Sequence, residues 1–393
     1  MNTEERYLLS CLHGFVQGED PGEFSGDWGA LYHLANIHSV TGILGYMVKQ
    51  HPNASNSDAI SPLWGICMRT IAMQSQRAAY MQRLIGQLTQ AGIDHLLMKG
   101  YVVREYYPEP ELRTFGDIDF LIREEDREAC DALMMELGFE RKTDWEPVYS
   151  YLRGAEYYEI HTDVMEVDVS DKADYSSYFS HTWERAQHMG GHTWELRPED
   201  HLIYLLTHIA KHISASGAGI RMYLDIAFFL KHFAGQLDLA YLQAEFEKLA
   251  FADFVNMVFT VVQTQFDVES PIPLKAVDTA VLDNFMDFTM AGGVFGHFGR
   301  DSGLINLKKD DRNEETVSRG RTLRRRLFPS AQAIESRYTY LQGKHWLLPV
   351  AWAHRLIRTH DTWGAHAEEA KSILNADEDE VLKLKRIYKE IGL

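Results

Sequence analysis

The chain has 393 residues, 45% of them hydrophobic and 24% charged, the balance of an ordinary globular protein of two or three domains. Its 39 basic and 57 acidic side chains leave a net charge of −18, which repels phosphate backbones and argues against nucleic acid as a partner. Three scattered cysteines, Cys11, Cys67 and Cys130, exclude a disulfide framework and a thiolate metal cluster.

The first residues carry no recognisable targeting signal. The sequence begins M-N-T-E-E-R-Y, which is acidic and lacks the apolar core of a secretory signal peptide. No apolar run approaches the roughly 18 residues that a membrane helix needs. Together with the cysteine usage, these features predict a cytoplasmic protein with no membrane partner.

Residues 1–90 are predicted to form an N-terminal helical region. Apolar residues recur at helical spacing in three patterns before residue 50, and Asp27 is a candidate N-cap for the second. Ser61 followed by Pro62 predicts the start of a long helix, because these residues favour the N-cap and first helical positions. Gly92 is its stop signal.

The pattern changes after residue 90, where short apolar runs alternate with helical segments. The predicted elements are a strand over 93–98, a helix over 101–107, a strand that carries Asp117 and Asp119, a helix over 124–137, and strands over 148–152 and 157–169. This order predicts a small α/β domain over residues 91–195.

Residues 196–393 are predicted to be mostly helical. Apolar periodicity predicts helices over 200–213, 220–233, 238–267 and 274–291, and again within 328–393. Residues 305–323 are polar and predicted to form a loop that leads into a run of arginines at 319–326. The fold class that follows from all three regions is α+β.

Asp117 and Asp119 form a D-x-D pair in an otherwise strand-forming stretch. Successive side chains of a strand point to opposite faces, so both carboxylates are predicted to project from the same face. Two neighbouring carboxylates repel each other unless a cation lies between them, so the pair predicts a divalent metal site. An exposed strand end with two solvated acids is the alternative.

The D-x-D pair is part of a larger ordered set. A short strand that ends at a glycine, a helix, the D-x-D strand and a later acid are the parts that two-metal phosphoryl or nucleotidyl transfer requires. The glycine lets backbone N–H groups approach a triphosphate. The third carboxylate completes the metal site and can accept the proton of an acceptor hydroxyl, and Glu159 and Asp168 are both candidates.

A second set of polar residues lies on the predicted helix over 200–213. His201, His208 and His212 are spaced to form one stripe, and Lys211 lies beside them. On the next helix Arg221 and Asp225, at positions i and i+4, share a face, and this spacing favours their pairing with each other. The stripe predicts a wall that holds a nucleotide opposite the metals, and a polar seam between helices is the alternative.

A His/Asp metal-dependent phosphohydrolase is a further alternative for the histidine stripe. That chemistry normally requires an adjacent His-Asp pair within the cluster. The His-Asp pair of this chain is His360-Asp361, far away in the C-terminal region, which disfavours this interpretation.

The order of motifs resembles a bacterial family described as uncharacterised nucleotidyltransferases, within the superfamily of DNA polymerase β. The matching segments are L-L-M-K-G at 96–100, R-T-F-G-D-I-D at 113–119, Y-E-I-H at 158–161, H-I-A-K-H at 208–212, G-A-G-I-R-M-Y-L-D-I at 217–226, L-F-P-S at 327–330 and L-L-P-V-A-W-A-H-R at 347–355. The resemblance therefore covers most of the chain.

The resemblance implies a polymerase-β-like nucleotidyltransferase core over 91–195, between helical regions over 1–90 and 196–393. It implies transfer of a nucleoside monophosphate from an NTP to an acceptor by a two-metal mechanism with Mg²⁺ or Mn²⁺. Asp117, Asp119 and Glu159 would be the catalytic and metal-binding acids, with Glu159 favoured over Asp168 because it matches the E-I-H segment.

The resemblance also implies a set of nucleotide-binding residues, namely Lys99, Gly100, Arg113, His161, His208, Lys211, His212 and Arg221. The broader superfamily has Gly-Ser after the first strand, whereas this chain has Lys99-Gly100 and a longer gap to Asp117. Lys99 is then a candidate to offer a point charge to phosphate in place of the hydroxyl, and an ordinary lysine at the end of a strand is the alternative.

The acceptor is not identified by the sequence, although the acidic chain favours a small molecule or a protein over a nucleic acid. A catalytically silent nucleotide-binding or scaffold protein of the same fold is the alternative to an enzyme. Retention of three acids in the expected order favours the enzyme.

Overall fold

The computed structural model describes residues 1–52, 57–145, 148–164, 169–170, 172–215, 217–293, 318–334, 338–341, 343–358 and 363–393. Contacts between Cα atoms divide the chain into two compact units, residues 1–296 with residue 393, and residues 297–392. The predicted domain boundaries after residues 90 and 195 both lie inside the first unit and stay predictions.

The first unit begins with four described helices, as the sequence predicts. They are α1 (Thr3–Gln17), α2 (Trp28–Ile37), α3 (Thr41–Gln50) and α4 (Ser57–Gln90). Asp27 caps α2 by accepting hydrogen bonds from two backbone N–H groups of its first turn. The predicted start of α4 at Ser61 is wrong, because the helix begins at Ser57 and contains Pro62. Pro62 lies in the second turn of this helix, where its missing N–H removes one backbone hydrogen bond.

Seven strands among the described residues form one mixed sheet. They are β1 (His95–Leu97), β2 (Ile118–Ile122), β3 (Glu140–Trp145), β4 (Val148–Arg153), β5 (Glu156–His161), β6 (Ala186–Gly190) and β7 (Thr193–Leu196), in the order β3-β4-β5-β2-β1-β7-β6. The centre is β5-β2-β1-β7, where β2 runs parallel to β5 and antiparallel to β1. This sheet and the surrounding helices confirm the α+β class.

Three of these strands were not predicted from the sequence. β3 and β6 are the two edges of the sheet, and their sequences, E-R-K-T-D-W and A-Q-H-M-G, lack the alternation that a half-buried strand shows. β7 has only four residues. The strand predicted over 157–169 ends at His161, and bends follow at 162–164; residues 165–168 lie outside the described chain.

Alternation along β2 and β5 separates the hydrophobic core from the polar face of the sheet. Ile118, Phe120 and Ile122 of β2, with Tyr158 and Ile160 of β5, belong to one buried cluster that α4 and α6 (Arg127–Glu136) cover. The residues between them must therefore point to the opposite face. That face carries the acids of the D-x-D strand and of the E-I-H segment.

Further helices complete the first unit. They are α5 (Lys99–Val103), α7 (Tyr175–Phe179), α8 (Pro198–Ala215), α9 (Ile220–His232), α10 (Leu239–Lys248), α11 (Ala252–Phe266) and α12 (Thr279–Gly292). The predicted helix over 238–267 is two helices, because Leu249–Ala250–Phe251 separates α10 from α11 and Ala250 has a positive φ of 48°. α8 and α9 confirm the helices predicted over 200–213 and 220–233.

The second unit is described as five helices, α13 (Arg319–Leu327), α14 (Ala331–Ile334), α15 (Leu348–Arg358), α16 (Trp363–Asn375) and α17 (Glu378–Glu390). The predicted loop over 305–323 is wrong at its end, where Arg319 begins α13; residues 305–317 lie outside the described chain. Arginine favours helices, and Leu323 packs against a buried cluster of α16 and α17. None of the described helices has the length and apolar character needed to cross a membrane.

Candidate active site

The polar face of β2 and β5 brings two carboxylates and one imidazole together. The parallel pairing places Asp119 opposite Glu159, and His161 follows two residues later on the same face of β5. Ligand atoms of Asp119, Glu159 and His161 all lie within 4.8 Å of one another. Three side chains placed in this way could hold a metal ion, and all three were selected from the sequence.

Asp119 is a buried carboxylate that two cationic or hydrogen-bonding neighbours stabilise. Its Oδ1 accepts hydrogen bonds from Nζ of Lys99 at 2.6 Å and from Nε2 of His161 at 3.0 Å. Burial alone would raise the pKa of Asp119, but Lys99 and His161 together hold that pKa far below its usual range. Asp119 is therefore ionised at every physiological pH.

Glu159 has the opposite electrostatic environment. Burial raises its pKa above the ordinary value, and the negative charges of Asp119 and Asp117 raise it further. The hydroxyl of Tyr157 donates a hydrogen bond to Glu159 at 3.3 Å. The cluster thus holds more negative charge than its neighbours neutralise, which favours the binding of a cation.

Lys99 and Gly100 lie at the junction between β1 and α5. Lys99 adopts a left-handed backbone conformation, with φ at 50°, and its ammonium points to Asp119. Tyr204 of α8 also contacts that ammonium, and burial raises the pKa of its phenol to about 12. A Cβ at Gly100 would lie 1.9 Å from Nη1 of Arg113, so only glycine leaves room for that guanidinium.

Arg113 is buried and pairs with Asp225 of α9. Its Nε and Nη2 donate to the two oxygens of Asp225 at 3.0 and 2.7 Å, in the bidentate geometry that arginine favours. The hydroxyl of Tyr107 donates to Asp225 at 2.7 Å. The expected pairing of Asp225 with Arg221 is wrong, because these two partners already occupy the carboxylate.

Arg221 instead donates from Nη1 to the backbone carbonyl of Thr114. Its Nε–H has no hydrogen-bond partner among the described residues. Burial and the neighbouring Arg113 lower the pKa of Arg221 to about 10, so its guanidinium is still charged at neutral pH. A partly buried cation with a free donor is well suited to an anionic oxygen.

A cavity of about 110 Å³ joins these parts, and we call it the catalytic cavity. Most of the selected residues line it, namely Lys99, Gly100, Arg113, Asp117, Asp119, His208, His212 and Arg221. Asp117 directly precedes β2, so both acids of the D-x-D pair reach this space. Glu159 and His161 contact Asp119 from the neighbouring strand without lining the cavity.

His208 and His212 of α8 form part of the cavity wall. Their Nε2 atoms lie 3.2 Å apart. Burial lowers the pKa of His212 to about 4 and that of His208 well below its usual range, and the positive charge of Lys99 lowers both further. Both are therefore neutral at pH 7. Lys211 does not line the catalytic cavity, although its positive charge lowers the pKa of both imidazoles.

The third histidine of the stripe lies apart. His201 is buried against Phe229 of α9, with ring centroids 5.6 Å apart, and does not line the catalytic cavity. Among the described residues, the metal-competent cluster is Asp119, Glu159 and His161 and includes no histidine of α8. The geometry thus gives no support to a phosphohydrolase site on α8. Asp168 and His360-Asp361 lie outside the described residues.

Residues of the N-terminal helices hold the loop that carries Asp117 in place. The sequence did not predict these contacts. Gln74 of α4 both accepts from the N–H and donates to the carbonyl of Phe115, each at 3.3 Å. Arg77 donates to the same carbonyl, and the hydroxyl of Thr114 donates to the carbonyl of Ser39 at 2.8 Å. No local pattern marks these residues, since their partners lie about 40 or more positions away.

Comparison with known proteins agrees with the class of protein that the fold and the acid cluster define. A family model described as "uncharacterised nucleotidyltransferase" matches residues 25–267, more than half of the chain. The chain therefore belongs to the family of uncharacterised nucleotidyltransferases, which confirms the resemblance and agrees with the predicted polymerase-β-like core.

Among solved structures, the antibiotic-resistance factor ANT(2'')-Ia, studied in solution, is similar to part of this chain. The identity is 12% and the TM-score 0.34, over 46% of this chain and 95% of that chain. The comparison with curated proteins gave no match.

Proposed function

We propose that this protein transfers a nucleoside monophosphate from an NTP to an acceptor and releases pyrophosphate. The observation that carries the proposal is the convergence of Asp119, Glu159 and His161 beside a cavity lined by Asp117, Lys99 and Arg221. Acids that bind a divalent cation next to cations that bind phosphate are the two halves of a nucleotidyl-transfer site.

The side chains fit a divalent cation. Asp117, Asp119 and Glu159 offer carboxylate oxygens, the ligands that Mg²⁺ and Mn²⁺ prefer. The raised pKa of Glu159 reflects negative charge that a cation would neutralise. A divalent cation held there supplies positive charge to the phosphate oxygens during in-line displacement.

The protein's own residues would bind and orient the substrates and accept the proton of the acceptor hydroxyl. The acceptor hydroxyl oxygen forms a bond to the α-phosphorus as the bond to pyrophosphate breaks, and one carboxylate of the set Asp117, Asp119 and Glu159 takes the hydroxyl proton. His161 holds Asp119 in place through its 3.0 Å hydrogen bond.

The cationic side of the cavity would bind the triphosphate. The free Nε–H of Arg221 is available to a phosphate oxygen, and Lys99 supplies a second positive charge. Arg113, His208, His212 and Gly100 shape the space around them. We place this reaction in the cytoplasm, in keeping with buried thiols that form no disulfide.

The test is equilibrium binding of Mg²⁺ and labelled ATP, CTP, GTP and UTP to the purified chain, followed by transfer to a metabolite extract. Asp119→Asn keeps the side-chain shape and removes the charge, so we expect nucleotide binding to weaken at least tenfold. Glu128→Gln removes an exposed acid of α6 and is the matched control.

Unchanged binding by Asp119→Asn would refute the metal assignment. A silent nucleotide-binding protein would bind Mg²⁺–NTP and lose that binding in Asp119→Asn, yet transfer no label to any component of the extract. The two measurements together therefore separate the enzyme from the scaffold.

A further inference from the structure

A second cavity, of about 560 Å³, lies next to the catalytic cavity, and we call it the side cavity. Phe115, Asp117 and Arg221 line both cavities, so the two spaces meet at the loop that carries Asp117. The volume of the side cavity falls within the roughly 300–1,000 Å³ of small-molecule sites. The catalytic cavity is several times smaller.

The walls of the side cavity are built by the N-terminal helices and are rich in hydroxyl and amide groups. Asn36, Ser39, Thr41 and Thr70 line it. None of these four side chains makes a hydrogen bond to any residue that the structure describes. Thr41 lines the cavity although the residue as a whole is only 8% exposed. A bound molecule could form hydrogen bonds with such hydroxyl and amide groups.

The charge of the side cavity restricts what it can bind. Arg77 and Arg221 contribute two guanidinium groups, and Asp117 contributes one carboxylate that the proposed metal would neutralise. A polycation would be repelled by the two arginines, whereas a neutral or phosphorylated molecule would not. Neutral hydroxyl and amide groups form specific hydrogen bonds with alcohols.

We propose that the side cavity is the acceptor site and that the acceptor is a small, hydroxyl-rich molecule, a free sugar or polyol or its monophosphate. This inference rests on the proposed nucleotidyl transfer. The triphosphate occupies the catalytic cavity, and the acceptor hydroxyl reaches the α-phosphorus from the side of Asp117. Thr41 and Thr70 are specificity-determining residues that bind the acceptor's other hydroxyls.

The experiment uses the full chain, Mg²⁺ and α-labelled NTPs with three groups of acceptors: hexoses, pentitols and inositols; their monophosphates; and polycationic amino sugars. We expect label on a member of the first or second group and not on the third. The first two groups distinguish a free polyol from its phosphate, because Arg77 and Arg221 favour the latter when it is present.

The double variant Thr41→Val, Thr70→Val removes two hydroxyls at almost constant volume. We expect the KM for the labelled acceptor to rise about tenfold or more, while the Kd for Mg²⁺–NTP from calorimetry stays within twofold. Thr260→Val is the matched control, because its hydroxyl bonds to its own helix α11 and does not line the cavity.

Three results would overturn the inference. They are label only on the polycationic group, no label on any acceptor by a chain that binds Mg²⁺–NTP, or equal weakening of NTP binding in the double variant, which would place the nucleoside in the side cavity. Absence of Mg²⁺–NTP binding by the wild-type chain would instead refute the proposed nucleotidyl transfer itself, and the acceptor site with it.

Discussion

The ammonium of Lys99 lies 2.6 Å from the carboxylate of Asp119. Burial lowers the pKa of Lys99, but the nearby Asp119 carboxylate more than offsets this and raises it above its usual value. An ammonium and a divalent cation would compete for that carboxylate. Binding of NTP and metal would therefore require Lys99 to leave Asp119, and the triphosphate offers it a new partner.

We expect Lys99→Met to bind Mn²⁺ more tightly than the wild-type chain, by about tenfold, when no nucleotide is present. The reason is that the variant removes the competing charge. Electron paramagnetic resonance of free Mn²⁺ measures the affinity. Lys99→Arg keeps the charge and is the control that should leave the affinity low. Equal or weaker Mn²⁺ binding by Lys99→Met would contradict the competition.

His38 is a buried histidine far from the acids and offers a separate pH test. Its Nδ1 accepts from the N–H of Ile220 at 3.3 Å, so its Nε2 carries the hydrogen donated to the carbonyl of Met290 at 3.0 Å. Burial lowers the pKa of His38 to about 4 from the model-peptide value of 6.5. Below pH 6.5 the unfolded chain therefore takes up a proton that the folded chain refuses, which favours unfolding.

The stabilisation from His38 is complete above pH 6.5 and declines by at most about 1.4 kcal/mol per pH unit as the pH falls towards 4. His38→Gln keeps a donor and an acceptor but cannot titrate. We expect the difference in melting temperature between wild type and His38→Gln to shrink from pH 7 to pH 5 in differential scanning calorimetry. A constant difference would show that His38 has the same pKa in the folded and unfolded chains.

At the scale of elements, the junction of β1 and α5 depends on the absence of a side chain at Gly100. Gly100→Ala would drive Arg113 away from Asp225, leaving a buried ion pair broken, at a cost of about 3 kcal/mol. Gly116 is the matched control, since a Cβ there meets no atom within 4 Å. Chemical denaturation compares the two alanine variants, and a similar midpoint for both would show that Arg113 relocates without cost.

The central strands were predictable because their sequences alternate between core and polar face. Ile118 and Phe120 enclose Asp119, and Tyr158 and Ile160 enclose Glu159, so one pattern fixes both the strand and the direction of its acid. The pairing of β2 with β5 brings these two acids together. It could not be predicted from the sequence and is seen only in the structure.

Interactions between distant segments were not predictable from local patterns. Arg113 and Asp225 are 112 positions apart, and nothing near either residue excludes a pairing of Asp225 with Arg221, four residues away on the same helix. The same limit applies to Gln74 and Phe115. Edge strands were missed for a different reason, because water on their exposed side removes the apolar alternation.

On the scale of the whole molecule, the site draws on distant parts of the first unit. Gln74 of the N-terminal helices, Asp119 of the sheet and Arg221 of α9 all act on one small volume. The unit must therefore fold as a whole before the site exists. A local cluster of cations then faces a chain that is strongly acidic overall.

The net charge of −18 should slow the approach of any nucleotide, because long-range repulsion acts before the local cations can. Added salt screens charges separated by more than about 10 Å at 0.1 M but has less effect inside the cavity. We expect the association rate constant of Mg²⁺–NTP to rise on the order of two- to fivefold between 10 and 150 mM salt. Stopped-flow fluorescence with a labelled NTP measures it.

The matched control is the corresponding labelled nucleoside, whose neutral form should associate at a rate that salt does not change. A rate constant for Mg²⁺–NTP that falls with salt would mean that Lys99, Arg113 and Arg221 attract the nucleotide from a distance. In that case the cations at the mouth of the catalytic cavity, and not the acidic surface as a whole, would control the approach of the nucleotide. A rise confined to the charged ligand would instead show that the acidic surface sets the rate of entry while the buried cations set the affinity.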